Sequence, residues 1–384
     1  MIRRAPWILA LIASLATATV AIVWLNDPDS YPYGRDDIVK TGLNYLIERD
    51  LGTAVALTAA VAGVVLAVTG MVRPGVRILT PGCVLMALCF ASILGDGSMI
   101  AALGYLIAMT LPLTVATLLI LVGRHWRRVG IAMAIGAVVL GVGALITGGV
   151  ADLGDAFATY YGGLLADPEG YYPRMAWTLG WLAAAAGWAW AALSAQRAAR
   201  SDRPEPAPAS LAAAAHRWGR AATIAAALCP VPYGLCRLMW ITPWPLGGNG
   251  ADEFVVSRSL DTATRLQGFL FAPAAAIGVA LTLGLISGWG EVFPRWLPAV
   301  GGRAVPVMLA VVPGGLVAAV MTLAGPASLV DLIVEGDPLE FAYHFFFMPF
   351  AVWGPLLAFA VYAYWLRRTT ASPATSVPPM RVGR

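Results

Sequence analysis

The sequence predicts an all-α integral membrane protein, built as one bundle of about ten transmembrane helices with both termini in the cytoplasm. Two observations lead to this prediction. Apolar residues make up 59% of the 384 residues and charged residues only 12%, whereas about a quarter of a soluble domain is charged. The apolar residues also recur in runs of roughly 20, the length that crosses a bilayer core as a helix.

Ten such runs follow one another along the chain. In order, they are Pro6–Leu25, Leu51–Val72, Val76–Leu94, Met99–Val122, Val129–Val150, Met175–Ala195, Trp218–Thr242, Thr262–Ser287, Ala304–Ala324 and Ala342–Leu366. The first run also has the basic start and small residues of a secretory signal. Its apolar stretch is long for a signal, so we expect an uncleaved first helix.

The basic residues give an independent test of this division. With the N-terminus in the cytoplasm, most of the 25 lysines and arginines fall on cytoplasmic segments, and most of the 21 acidic residues fall on outer ones. This alternation follows the positive-inside rule. The arginines form short clusters at the ends of apolar runs, such as Arg367 and Arg368, and no continuous basic stripe, so we expect no nucleic-acid partner.

We expect residues 1–384 to form a single transmembrane domain. Residues 1–195 carry helices one to six, 196–217 a cytoplasmic loop rich in Pro, Ala and Arg, 218–368 helices seven to ten, and 369–384 a disordered cytoplasmic tail. The inner connection after the eighth run has Glu291 and Arg295 four residues apart. This spacing predicts a short interfacial helix held by an ion pair, with a docking site for a cytoplasmic partner as the alternative.

The sequence offers little support for enzyme chemistry. The four cysteines lie within apolar runs, without a C-x-x-C pair or the spacing of a metal site. No H-E-x-x-H motif, Walker loop or nucleophile elbow is found. We therefore predict no metal, no cofactor and no catalytic residue, and favour a non-enzymatic role.

The stretch CPVPYGLCRLMWITPWP, Cys229–Pro245, carries a permanent charge, Arg237, inside an apolar run. An arginine costs about 2.5–3.5 kcal/mol at the bilayer centre and less near the interface. The two prolines before it each lack an N–H and interrupt the helix. A broken helix followed by a charge is how transporters build sites for anionic groups.

Two simpler roles for Arg237 stay open. The side chain could extend outward beside Trp240, with its stem in lipid and its charge in water. It could instead form an ion pair with an acidic residue at the outer side of the chain, and the candidates are Glu340, Asp261 and Asp252.

The last apolar run adds a histidine at a similar depth. In LEFAYHFFF, Glu340 precedes His344 by four residues, which places both on one helix face. Because this run enters the bilayer from the same side on which Arg237 lies, we predict an outward-facing ligand-binding pocket. Its predicted lining residues are Arg237, His344, Glu340 and Arg265.

Two stretches of the second half, PYGLCRLMW…PLG (Pro232–Gly247) and GWGEVFPRWLPAVGGRAVP (Gly288–Pro306), resemble uncharacterised multi-pass membrane proteins of actinobacteria. The resemblance implies a plasma-membrane location. It implies no activity and supplies no catalytic residue.

These observations favour a transporter-like or lipid- or anion-binding membrane component with a pocket near Arg237, and its expected partners are membrane lipids. One alternative is an accessory or structural subunit that packs against a partner membrane protein. Another is a membrane-embedded transferase that uses His344 as a base oriented by Glu340. The small number of charged residues deep in the runs counts against ion-coupled transport.

Overall fold

A computed structural model of the protein describes residues 4–34, 46–96, 171–202, 209–240, 262–295, 300–325 and 338–370, with a few isolated positions between them. Its helices are α1 (Ala5–Asn26), α2 (Arg49–Val72), α3 (Leu79–Cys89), α4 (Tyr171–Asp202), α5 (Ala209–Leu228), α6 (Val231–Met239), α7 (Thr262–Gly284), α8 (Val307–Ala324), α9 (Pro338–Phe347) and α10 (Phe350–Thr370). Helix α3 continues into a π-helical turn at Phe90–Leu94. Within these ranges the all-α prediction is confirmed.

Five of the described helical segments are long and apolar enough to cross a membrane. They are Ala5–Asn26, Arg49–Val72, Leu211–Met239, Val307–Ala324 and Phe341–Thr370, and two shorter apolar helices cover Leu79–Leu94 and Leu270–Gly284. Helix α4 has 32 residues, with Arg174 near its start and Arg197 and Arg200 near its end, and is not among these five segments. The predicted runs Met99–Val122 and Val129–Val150 lie outside the described residues.

Helices α1 to α4 pack around one core. A stripe of small buried residues along α2 lets α1 approach closely, as is common between membrane helices; it consists of Gly52, Ala56, Ala59, Ala60, Gly63, Ala67 and Gly70. A side chain at Gly70 would meet the indole ring of Trp7. Large aromatic side chains, Trp7 and Trp188 among them, are fully buried here and fill the space that the small residues leave.

Helices α5, α8 and α10 pack around a second core, which includes Leu357, Val361 and Tyr364 of α10. Helix α10 contacts both α5 and α8, while α7 contacts α5 and α6. The two cores meet where Leu323 of α8 packs against the first one.

The ends of the predicted cytoplasmic loop at 196–217 are helical. Helix α4 continues to Asp202 and α5 begins at Ala209, leaving only residues 203–208 of the loop outside the described residues. The run of alanines after Ser210 has high helix propensity, which explains the early start of α5. The first two residues of the predicted tail, Thr369 and Thr370, still belong to α10.

The predicted interfacial helix at Glu291 and Arg295 is wrong. The segment forms a 3₁₀ turn at Gly288–Gly290 and an isolated antiparallel bridge between Val292 and Ala304. Glu291 pairs with Arg367 of α10, its Oε1 lying 3.3 Å from the arginine Nε. Pro294 explains the difference, because the residue before a proline is disfavoured in the helical conformation.

The arginine pair at the end of α10 holds this turn in place. Arg368 donates to the carbonyl oxygens of Gly290 (3.3 Å) and Val305 (3.0 Å) and to the hydroxyl of Tyr364 (2.9 Å). The Tyr364 hydroxyl in turn donates to the Gly290 carbonyl at 2.8 Å. The sequence predicts these two arginines only as a cluster on the cytoplasmic side. In the structure they connect α10 to the turn between α7 and α8.

Candidate functional site

Helix α6 is a short helix set off from α5 by prolines. Helix α5 ends at Leu228, Cys229 and Pro230 form a turn, and α6 starts at Val231. Pro232 lies in the first turn of α6, where a missing N–H costs nothing because that donor has no partner within the helix. The predicted interruption before Arg237 is therefore present.

A glycine on α7 brings α6 and α7 into backbone contact. A Cβ atom at Gly268 would lie 2.7 Å from the carbonyl oxygen of Arg237 and 2.8 Å from the Cβ of Trp240. Any larger residue would push the helices apart. This approach also brings Phe271, one turn further along α7, to the side chain of Arg237.

The guanidinium of Arg237 lies among three aromatic rings. Its Cζ atom is 3.6 Å from the ring centroid of Trp240, 4.8 Å from that of Tyr233 and 5.8 Å from that of Phe271. We call these three residues the aromatic cage. Trp240 is only 5% exposed, and a cation over a desolvated ring is stabilised by about 2 kcal/mol or more.

The cage does not satisfy the hydrogen-bonding capacity of Arg237. Its Nε and Nη1 atoms are shielded from solvent and have no hydrogen-bond partner among the described residues. Aromatic rings cover the faces of a guanidinium, whereas its five N–H donors point outward in its plane. A buried donor without an acceptor costs about 1–3 kcal/mol, and a charged one costs more. A hydrogen-bond acceptor at the Nε and Nη1 edge of the guanidinium would remove this cost.

The fold brings together the helices that carry the predicted site residues. Helix α9, which contains Glu340 and His344, packs against α6, although the side chains of these two residues lie outside the described part of the structure. Arg265 lies in the first turn of α7, half-buried and three residues before Gly268. A pocket lined by all four predicted residues stays a prediction. The alternative partners Asp252 and Asp261 lie outside the described residues.

Comparisons of the chain with protein-family models, with curated proteins and with solved structures find no match. Among the described residues, no group of three or more His, Cys, Asp or Glu side chains could hold a metal ion. The proposed function therefore rests on the geometry of this chain's own residues.

A buried ion pair near the predicted outer ends of α3 and α4 was not predicted from the sequence. Arg174 Nε lies 2.6 Å from Asp96 Oδ2, and the two side chains are 16% and 3% exposed. Asp96 follows the π-helical turn that ends α3, and Arg174 lies in the first turn of α4. The only signal in the sequence is that opposite charges flank two apolar runs, which does not identify the pair.

Aromatic side chains enclose this pair. The Tyr33 hydroxyl donates to the Leu94 carbonyl oxygen (2.5 Å) and accepts from Trp177 Nε1 (2.8 Å). The Tyr33 ring centroid lies 5.8 Å from Arg174 Cζ. Burial raises the pKa of the Tyr33 phenol above its ordinary value, which keeps it protonated as a donor. Because these groups satisfy one another, the cluster is best explained as a structural clamp between α3, α4 and the segment after α1.

Proposed function

We propose that this protein is a multi-pass integral membrane protein that binds an anionic group, from a lipid or a small molecule, at Arg237. The observation that carries the proposal is the guanidinium edge, whose Nε and Nη1 atoms are buried without an acceptor among the described residues. Phosphates and carboxylates suit this edge, since they accept two parallel hydrogen bonds from a guanidinium.

The aromatic cage separates this proposal from simple anchoring. An arginine that only anchors a helix extends into water or headgroups, where its donors are hydrated. Arg237 is instead stacked on the buried ring of Trp240. The rings lower the cost of placing a charge in an apolar helix, and a bound anion would supply the missing acceptor.

Native mass spectrometry of protein taken gently from its own membrane tests the proposal. We expect bound anionic lipid or small anions on the wild type, and one fewer bound anion on Arg237→Ala. A hydrogen bond to a charged group contributes about 1.5–3 kcal/mol, so losing even one lowers affinity by about tenfold or more. Arg237→Lys should retain part of the binding, because lysine keeps the positive charge. It should not restore all of it, because lysine lacks the planar guanidinium that donates two parallel hydrogen bonds.

Arg217 provides a matched control. Its Cζ atom lies 5.2 Å from the ring centroid of Trp218, but both residues are exposed on α5. Arg217→Ala should leave the bound species unchanged. The same number of bound anions in Arg237→Ala as in the wild type would contradict the proposal, and a stoichiometric protein partner on the wild type would favour an accessory subunit instead.

The main alternative to a bound anion is an ion pair within the chain, between Arg237 and Glu340 on the neighbouring helix α9. In that case Arg237→Ala loses no bound anion, Glu340→Gln alone destabilises the protein, and the double variant with Arg237→Gln is more stable than either single one. Under our proposal, Glu340→Gln leaves the adduct in place.

We further propose ten spans with both termini in the cytoplasm, and infer a plasma-membrane location. The excess of arginine on alternate segments supports the orientation, and the resemblance to actinobacterial multi-pass membrane proteins supports the location.

Labelling of single cysteines tests this topology in a chain whose four native cysteines are replaced. With a membrane-impermeant maleimide, we expect Ser257→Cys to react in intact cells. Ser201→Cys and Ser376→Cys should react only after permeabilisation. Labelling of Ser201→Cys and Ser257→Cys from the same side would show that no span lies between them. Labelling of Ser376→Cys in intact cells would show that the C-terminus lies outside the cell.

A further inference from the structure

An apolar groove runs between α6 and α7. It has a volume of about 520 Å³, and its lining includes Pro230, Gly234 and Leu238 from the α6 side and Ala272, Ala276 and Val279 from α7. This volume falls within the range of about 300–1,000 Å³ typical of ligand sites. None of the three cage residues lines the groove, so it is distinct from the surroundings of the Arg237 guanidinium.

Small residues and prolines create the groove. Gly234 and Ala275 both line the groove, and a Cβ atom at Gly234 would lie 3.0 Å from the Cβ of Ala275. Helices α6 and α7 are therefore in contact at this point. Pro230 and Pro273 lie on its walls, where neither can continue a regular helical hydrogen-bond pattern. Small side chains then leave the space beside the contact unfilled.

The chemistry of the lining restricts what can occupy the groove. All of its lining residues are Gly, Ala, Pro, Val or Leu, and α6 belongs to an apolar segment long enough to cross a membrane. Leu235 and Leu238, which also line the groove, are exposed on the surface of this segment. A surface groove with such walls accepts a hydrocarbon chain.

Arg265 supplies a charge in line with this groove. It precedes Ala272, Ala276 and Val279 by seven, eleven and fourteen residues, the spacing that places residues on one face of a helix. Seven residues correspond to roughly 10 Å along a helix axis. The permanent cation of Arg265 thus lies at the start of α7, two turns before Ala272, the first groove residue of this helix.

We infer that the groove holds one acyl chain of an anionic glycerophospholipid whose phosphate lies at Arg265. A cation in line with an apolar groove matches the two parts of such a lipid, and zwitterionic lipids match it less well because their headgroup also carries a positive charge. The inference rests on the proposed membrane-spanning role and is independent of the anion at Arg237.

Photolabelling in vesicles tests the inference with the full chain. The vesicles consist of phosphatidylcholine with a small fraction of phosphatidylglycerol that carries a diazirine in one acyl chain. We expect labelled peptides from residues 230–238 and 272–279 to exceed those from the exposed face of α8, at Val312 and Leu316, several-fold. Unlabelled phosphatidylglycerol should compete, and additional phosphatidylcholine should not. Uniform labelling of both surfaces, or equal competition by the two lipids, would overturn the inference.

Variants assign the two parts of the site. Ala276→Phe fills the groove and should reduce its labelling several-fold without changing labelling on α8, and Val279→Phe repeats the test on the same face. Val312→Phe, a matched change on the exposed face of α8, should leave groove labelling intact. Arg265→Gln should remove the preference for phosphatidylglycerol. Retained labelling in both groove variants would overturn the inference.

The two proposals fail separately. If Arg237→Ala carries as many bound anions as the wild type in native mass spectra while groove labelling behaves as expected, only the anion site at Arg237 is rejected. If Arg237→Ala abolishes groove labelling and Arg265→Gln does not, the headgroup belongs to Arg237, and the assignment to Arg265 is overturned.

Discussion

Replacing Asp96 by alanine is expected to lower the free energy of unfolding by about 3–5 kcal/mol, because it removes one partner of a buried ion pair. The remaining charge of Arg174, which is 16% exposed, would lose its carboxylate in a surrounding of aromatic rings. Thermal or denaturant unfolding in detergent micelles, followed by tryptophan fluorescence, measures the loss. Trp177 and Trp181 lie in the same core and report on it directly.

The chain contains a matched control for this experiment. Arg49 and Asp50 form a pair at 3.2 Å, but the Asp50 side chain is 90% exposed. Exposed pairs contribute about 0–1 kcal/mol, so Asp50→Ala should change stability little. The double replacement of Asp96 and Arg174 by leucine should recover most of the stability, since it leaves no buried charge. Equal effects of Asp96→Ala and Asp50→Ala would contradict the clamp.

Replacing Gly354 by leucine is expected to destabilise the protein by about 3 kcal/mol or more, at the upper end of the range for overpacking. A Cβ atom at Gly354 would lie 2.7 Å from Thr322 Cα and would also meet the backbone nitrogen of Thr322. Since backbone atoms cannot rotate away, α8 and α10 must separate. The second core lies between these helices and includes Ala318 and Val361.

Gly315 on α8 provides the control for this change. A Cβ atom there meets no atom within 4 Å, so Gly315→Leu should be neutral, or stabilising by about 0.5–1 kcal/mol because a helical glycine is replaced. Both variants are compared by thermal unfolding in the same detergent. A Gly354→Leu variant that unfolds at the wild-type temperature would show that α8 and α10 are not in backbone contact.

Several elements were predicted closely because their signals are local. The predicted run Leu51–Val72 corresponds to α2 at Arg49–Val72, and Ala304–Ala324 corresponds to α8 at Val307–Ala324. Apolar length alone defines such helices. The break before α6 was also predictable, because a proline lacks the N–H that a continuous helix needs.

The ion pairs were not predictable, because their partners are far apart in the sequence. Asp96 and Arg174 are separated by 78 residues, and Glu291 and Arg367 by 76. Spacing rules detect pairs three or four residues apart, and for Glu291 such a rule selected Arg295. Only the packing of α10 against the turn after α7 shows that Arg367 is the partner.

The sequence by itself determined that the described chain is helical and apolar enough to span a membrane, and that a charge at Arg237 must be accommodated within an apolar segment. These properties follow from composition and local order, because each residue's transfer free energy and helix propensity belong largely to that residue. The tertiary structure decided which groups surround that charge. Gly268 allows α7 to approach α6 and brings Phe271 to Arg237, a contact that depends on backbone distance and that no local pattern records.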